Sequence, residues 1–196
     1  GAGGTAAGPA AAQAETVYGL TAANGLVTFS STNPAVTSSP IAISGLAPGD
    51  DLVGIDVRPA TLQLTALAGS GRLYKIDPVT GAATLLGTTA PLAGTNFGID
   101  YNPTVDRLRI VSDAEQNLRV NPNNGATTVD TPLAYAPGDA NVGDDPAVTA
   151  VAYTNNFPAS ATFPTATTTA LYGIDTAENV LVLQNPPNAG TLNTVG

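Results

Sequence analysis

Leu52-Val-Gly-Ile-Asp-Val-Arg-Pro59, Gln63-Leu-Thr-Ala-Leu67, Arg72-Leu-Tyr-Lys-Ile-Asp-Pro78 and Ala83-Thr-Leu-Leu-Gly87 follow one another as four short apolar runs. Each carries β-branched or aromatic residues, and Pro59, Gly69-Ser70-Gly71 and Thr80-Gly81 stand between them, so the unit reads as four strands joined by turns. The series returns strand for strand in Asn96-Phe-Gly-Ile-Asp-Tyr-Asn-Pro103, Arg107-Leu-Arg-Ile-Val111, Asn117-Leu-Arg-Val-Asn-Pro122 and Ala126-Thr-Thr-Val129. A third copy uses Val148-Thr-Ala-Val-Ala-Tyr153, Leu171-Tyr-Gly-Ile-Asp175, Val180-Leu-Val-Leu-Gln184 and Thr191-Leu-Asn-Thr-Val195, with Phe157 to Thr169 as an inserted loop. Ahead of the first full unit lies a partial one, Val17-Tyr-Gly-Leu20, Leu26-Val-Thr-Phe29 and Ile41-Ala-Ile-Ser44. It matches the second, third and fourth strands, and its first strand is missing.

The pairs Asn33-Pro34, Asp77-Pro78, Asn121-Pro122 and Asn185-Pro186 punctuate these units at intervals of 44, 44 and 64 residues, the last lengthened by the insertion. Four antiparallel strands per unit at a period in the forties mark β-propeller blades, whereas a β-sandwich needs no strand-for-strand repeat. The expectation is an all-β, propeller-like array of about four four-stranded antiparallel blades over residues 16–196, the first blade short of one strand. Gly54 and Gly98 fall on the innermost strands, where a missing side chain lets crowded strands approach. Residues 1–15 form a low-complexity Gly/Ala tail. With Gly196 read as following a complete fourth unit, the open end is completed by a larger ring, by the tail folding back, or by a strand from another molecule.

Charge and composition exclude several functions. Six cations stand against fifteen acids, a net charge of −9, so there is no basic groove for nucleic acid and an acidic membrane surface repels the chain. The chain has no Cys, His, Met or Trp, which removes thiolate and imidazole chemistry, disulfides and the usual zinc and copper ligands. No apolar run is long enough to span a bilayer as a helix. A start at Gly1 without Met, few lysines and no oxidisable sulfur lead to the expectation of an extracellular or cell-surface protein from which a signal segment has been removed.

Candidate chemistry is sparse. Asp139, Asn141, Asp144 and Asp145 crowd oxygen side chains into seven residues and Asp50-Asp51 adds a further acidic pair, ingredients of a calcium loop without the spacing of an EF-hand, and a solvated turn is the plainer reading. Two carboxylates suffice for glycoside hydrolysis, and Asp56, Asp100 and Asp106 are the least arbitrary candidates, with a structural role as the default. Arg107 and Arg109 share a strand face and are expected to pair with Asp106 or Asp113. Tyr18, Tyr74, Tyr101, Tyr135, Tyr153 and Tyr172 serve either as core or as a glycan-stacking platform. Thr162 to Thr169 is Thr- and Pro-rich, a composition that suits O-linked sugar.

The segments Leu52 to Pro59, Arg72 to Ala82, Phe97 to Arg107, Asn117 to Pro122 and Tyr153 to Phe157, with the ending Asn185 to Gly196, together resemble a bacterial family, domain of unknown function 4394. The resemblance implies a secreted, propeller-like protein with no established activity. The functional expectation is a non-enzymatic structural subunit, without cofactor, that associates with itself into a filament or matrix by strand donation. An extracellular module binding glycan or protein through Phe157 to Thr169 is the alternative, and a two-carboxylate hydrolase the third reading.

Overall fold

The computed structural model describes residues 14–157 and 166–196. Seventeen strands form four sheets. The first contains β1 (Thr16–Leu20), β2 (Gly25–Ser30), β3 (Asn33–Thr37) and β4 (Ile41–Ala42), with β2 pairing all three others. The second is the antiparallel series β5 (Leu52–Arg58), β6 (Gln63–Ala68), β7 (Arg72–Ile76) and β8 (Ala83–Thr88). The third is β9 (Phe97–Asn102), β10 (Arg107–Ser112), β11 (Asn117–Val120) and β12 (Thr127–Val129). The fourth sheet includes β13 (Ala134–Tyr135), β14 (Val148–Tyr153), β15 (Leu171–Asp175), β16 (Val180–Gln184) and β17 (Thr191–Thr194), with β13 joining β17 in parallel. The architecture is a four-bladed β-propeller, as the repeat requires.

Asp77-Pro78 and Asn121-Pro122 make the turn between the third and fourth strands of a blade, whereas Asn33-Pro34 opens β3. Asp77 Oδ1 accepts from the amides of Val79 (2.8 Å) and Thr80 (3.2 Å), and Asn121 Oδ1 accepts from Asn123 N (3.0 Å). The amides of Gly81 and Gly125 then bond the carbonyls of Asp77 and Asn121, at 2.8 and 2.9 Å, with both glycines at positive φ. Asx side chains hold their own backbone two residues on, and Pro fixes the next φ, so the shared Asx-Pro-x-x-Gly pattern gives the same turn twice.

Successive residues of a middle strand point to opposite faces, and both faces of the blade are covered, so β6 and β10 are buried almost along their whole length. Leu64, Ala66 and Ala68 of β6 pack with Leu26, Tyr74 and Ile76 between the first and second sheets. Leu67 and Leu73 meet Leu108, Ile110, Leu118 and Val120 between the second and third. Val111 meets Leu133, Val148, Val182 and Leu192 between the third and fourth. Burying one such leucine contributes about 1.5–3 kcal/mol, so the seams hold the blades together. Among the described residues no buried cluster of this kind joins the fourth sheet back to the first.

Among the described residues the first blade lacks its innermost strand: β5, β9 and β14 occupy that place in the other sheets, while β1, the counterpart of β6, pairs only with β2. The first sheet still counts four strands, because Asn33–Thr37, read from sequence as turn, returns as an exposed strand beside β2. The short parallel β13 is likewise an addition to the repeat. Residues 1–13 of the low-complexity tail read over 1–15, and residues 158–165 of the Phe157 to Thr169 loop, lie outside the described residues.

Candidate functional site at the open seam

The inner strands are tied by aspartates. Asp56 in β5 accepts a hydrogen bond at Oδ2 from the amide of Tyr101 in β9 (2.9 Å). Asp100 in β9 repeats this toward β14, accepting from the amide of Tyr153 at 2.6 Å. The positions are equivalent by register, since Val57, Tyr101 and Tyr153 each face a leucine of the next strand: Leu64, Leu108 and Leu171. Close approach is what the glycines permit: a methyl on Gly54 would stand 3.0 Å from Ile99 Cδ1, and one on Gly98 2.9 Å from the Ala150 backbone. In β14 the place of the aspartate is taken by Ala152, so the series of ties stops there.

Asp56 and Asp100 are near enough for the charge of one to act on the other. Burial pushes both carboxyls up, and the charge of Asp56 raises Asp100 further. Asn156 Nδ2 donates to both oxygens of Asp100, at 2.9 and 3.0 Å, while Asp56 Oδ1 accepts from its own neighbour, Val57 N, at 2.7 Å. Carboxyls flanking a glycosidic bond stand about 5 Å or more apart to admit the substrate oxygen. These two have oxygens committed to backbone amides, an arrangement suited to joining strands.

The seam between β1 and β5 contrasts with the other two. Whereas β9 abuts β14, between β1 and β5 a hollow of about 400 Å³ separates Glu15, Thr16 and Tyr18 from Asp56, Val57 and Pro59, reaching Asn156. A second hollow of about 230 Å³ shares Thr16, Tyr18, Asp56 and Val57 and continues to Ile55 and Leu64. Both lie along the unpaired edge of β1, and Asn156 Oδ1 is buried there without a hydrogen-bond partner. On the far side of the array, Ala150, Val151, Ala152, Tyr172, Ile174 and Leu181 line an apolar hollow of about 160 Å³, and Ile174 is 44% exposed. The open edge was legible in the missing strand; Asn156 had no sequence signal beyond the Tyr153 to Phe157 stretch.

The remaining candidates separate. Asp106 is ion-paired with Arg58, whose Nη1 also donates to Asn123. Arg109 is paired with Asp130 rather than with Asp106 or Asp113, as its buried head crosses the sheet to Asp130, Asn117 and Asn188, each at 2.7 Å. Arg107 is exposed and donates to the Asp106 carbonyl, while Asp113 takes four hydrogen bonds from Thr95 and Asn96. Asp139 accepts from Thr194 N and Oγ1, both at 2.7 Å, and from Asn141 N, and Asp144 and Asp145 are exposed. Among the described residues no three Asp, Glu, His or Cys side chains converge as metal ligands. Asp50 is buried under Tyr74 and Arg72, at 2.5 and 2.8 Å, and Asp51 is exposed. Four tyrosines, Tyr74, Tyr101, Tyr135 and Tyr153, are core residues.

Among solved structures, the chain is similar to the crystal structure of Saccharomyces cerevisiae Sqt1, with a TM-score of 0.45 and 12% identity over 90% of this chain and 46% of that one. It therefore spans less than half the length of that protein. No curated protein matches the chain. Residues 25–196 match the family described as Domain of unknown function (DUF4394), and the chain belongs to that family.

Proposed function

We propose that this protein is a secreted, non-enzymatic structural subunit that associates with itself by strand donation. The observation that carries the reading is the unpaired edge of β1, at the place where β5, β9 and β14 complete the other blades. An open sheet edge beside a hollow is a template for an added strand, whose main-chain hydrogen bonds supply affinity. The apolar face around Ile174 gives the opposite side of the array a second uncovered surface, so one copy carries two different ends. A contact between unlike ends passes from copy to copy, and where its rotation does not close into a ring it propagates into a filament. The commitment of Asp56 and Asp100 to backbone amides, and the absence of His and Cys from the chain, support a role without turnover.

Light scattering of the full chain over a hundredfold range of concentration tests this. Mass that rises in multiples of the 19.4 kDa subunit is expected, and a constant monomer mass throughout would overturn it.

A further inference from the structure

Resting on that reading, we propose that the strand received by the groove along β1 is the N-terminal segment, residues 1–13, of a second copy of this chain. The groove sets three requirements. A small side chain is needed at one position, because Gly54, Gly98 and Ala150 hold the equivalent place on the neighbouring inner strands where they approach each other. A carboxylate is unwelcome, because the Val57 amide, equivalent to those that take Asp56 and Asp100, is already bonded by Asp56 Oδ1, and a further charge would face Asp56 across the hollow. A backbone donor is wanted, because Asn156 Oδ1 is buried and unpartnered.

Residues 1–13 meet all three: they are Gly and Ala apart from Thr5, Pro9 and Gln13, and the first charged side chain is Glu15. An uncharged segment also crosses between two copies that each carry −9 without adding repulsion. Pro9 is compatible, since a strand that pairs only with β1 has one edge that needs no donor. Thirteen extended residues reach about 43–47 Å, against a radius of gyration of about 16 Å for a domain of this size.

The geometry at Glu15 directs the segment away from its own groove. In the second and third sheets the inner strand returns to the next through four residues that end in a left-handed residue, Leu62 (φ 59°) and Asp106 (φ 51°), whose amides bond Arg58 and Asn102. Glu15 holds the equivalent position and is not left-handed. Its amide donates to Ser31 Oγ (3.0 Å) and its carbonyl accepts from Ser31 N (2.9 Å), so the chain continues the ladder with β2 past the end of the sheet.

The chain has no cysteine, so disulfide trapping has no background. Full-length Ala6→Cys or Ala10→Cys protein is mixed with full-length Thr16→Cys protein and oxidised; Thr16 is exposed and lines the groove, so the change leaves the core intact. The expected result is a disulfide-linked dimer of the two different chains, abundant in the assembled fraction. A disulfide found only inside a doubly substituted chain would overturn the inference, placing the tail in its own groove. Assemblies that persist with no disulfide in any combination would overturn it while leaving self-association standing. Monomers throughout, without cross-links, would remove both.

Discussion

Asp100 accepts the amide of Tyr153 at 2.6 Å, repeating on β9 and β14 the tie that Asp56 makes to Tyr101 one blade earlier. Replacing Asp56 by Ala removes the acceptor from two backbone amides at once, those of Tyr101 and Val57. An unsatisfied buried donor costs about 1–3 kcal/mol, so Asp56→Ala is expected to destabilise by at least that much in urea denaturation, and Asp56→Asn, which keeps one acceptor oxygen, by less.

The same pair sets a pH dependence. Burial raises both carboxyls above their unfolded value of 3.8, to about 6 for Asp56 and about 8 for Asp100. Below pH 4 both states are protonated and the stability associated with these protonated carboxyls is fully present. As pH rises, the unfolded chain ionises freely while the folded one resists, so stability falls between about pH 4 and pH 8. Asp113 has the opposite sign: burial raises it, but the donors of Thr95 and Asn96 outweigh that and hold it at about 2, so its contribution is lost as pH falls below 4. Denaturation midpoints measured from pH 3 to 9 are expected to peak near pH 4–5. Asp100→Asn is expected to flatten the alkaline limb and leave the acid limb unchanged.

How much of this was legible in sequence follows from where each interaction lies. The Asx-Pro turns and Gly54 and Gly98 act within one blade or at one repeated position, so repetition exposed the four blades and the absent strand. Asp56 and Asp100 carry the same local motif, Gly-Ile-Asp, but their meeting depends on how adjacent blades are stacked. Arg109 finds Asp130 and Asn188, 21 and 79 residues away, which no local spacing announces. Asn33–Thr37 carries a proline and is exposed along its length, so neither propensity nor periodicity marked it as strand.

Arg109 is 1% exposed and joins the third and fourth blades through Asp130, Asn117 and Asn188. Removing one partner of a buried ion pair costs about 3–5 kcal/mol because the other is left uncompensated. Arg119 also bonds Asp130, at 2.7 and 2.8 Å, so Arg109→Met is expected to fall at the low end, near 3 kcal/mol, read as a lowered midpoint in thermal unfolding.

Gly87 lies where the outer strand of the second blade meets the turn of the third, and a methyl there would overlap the Asn124 carbonyl. Overpacking of this kind costs about 1–3 kcal/mol, and here the obstruction is backbone that cannot rotate aside. Gly87→Ala is expected to lower the melting temperature. Gly69→Ala, where the new methyl meets Val53 at an ordinary 3.5 Å, is expected to leave it within a degree or two.

The central claim is that copies of this chain join through an open blade. Negative-stain electron microscopy of the native material, with the intact mass of its subunit, tests it most directly. The account predicts filaments that dissociate into 19.4 kDa chains. Discrete particles of one size, built on a chain of larger mass that fills its own inner-strand position, would contradict it.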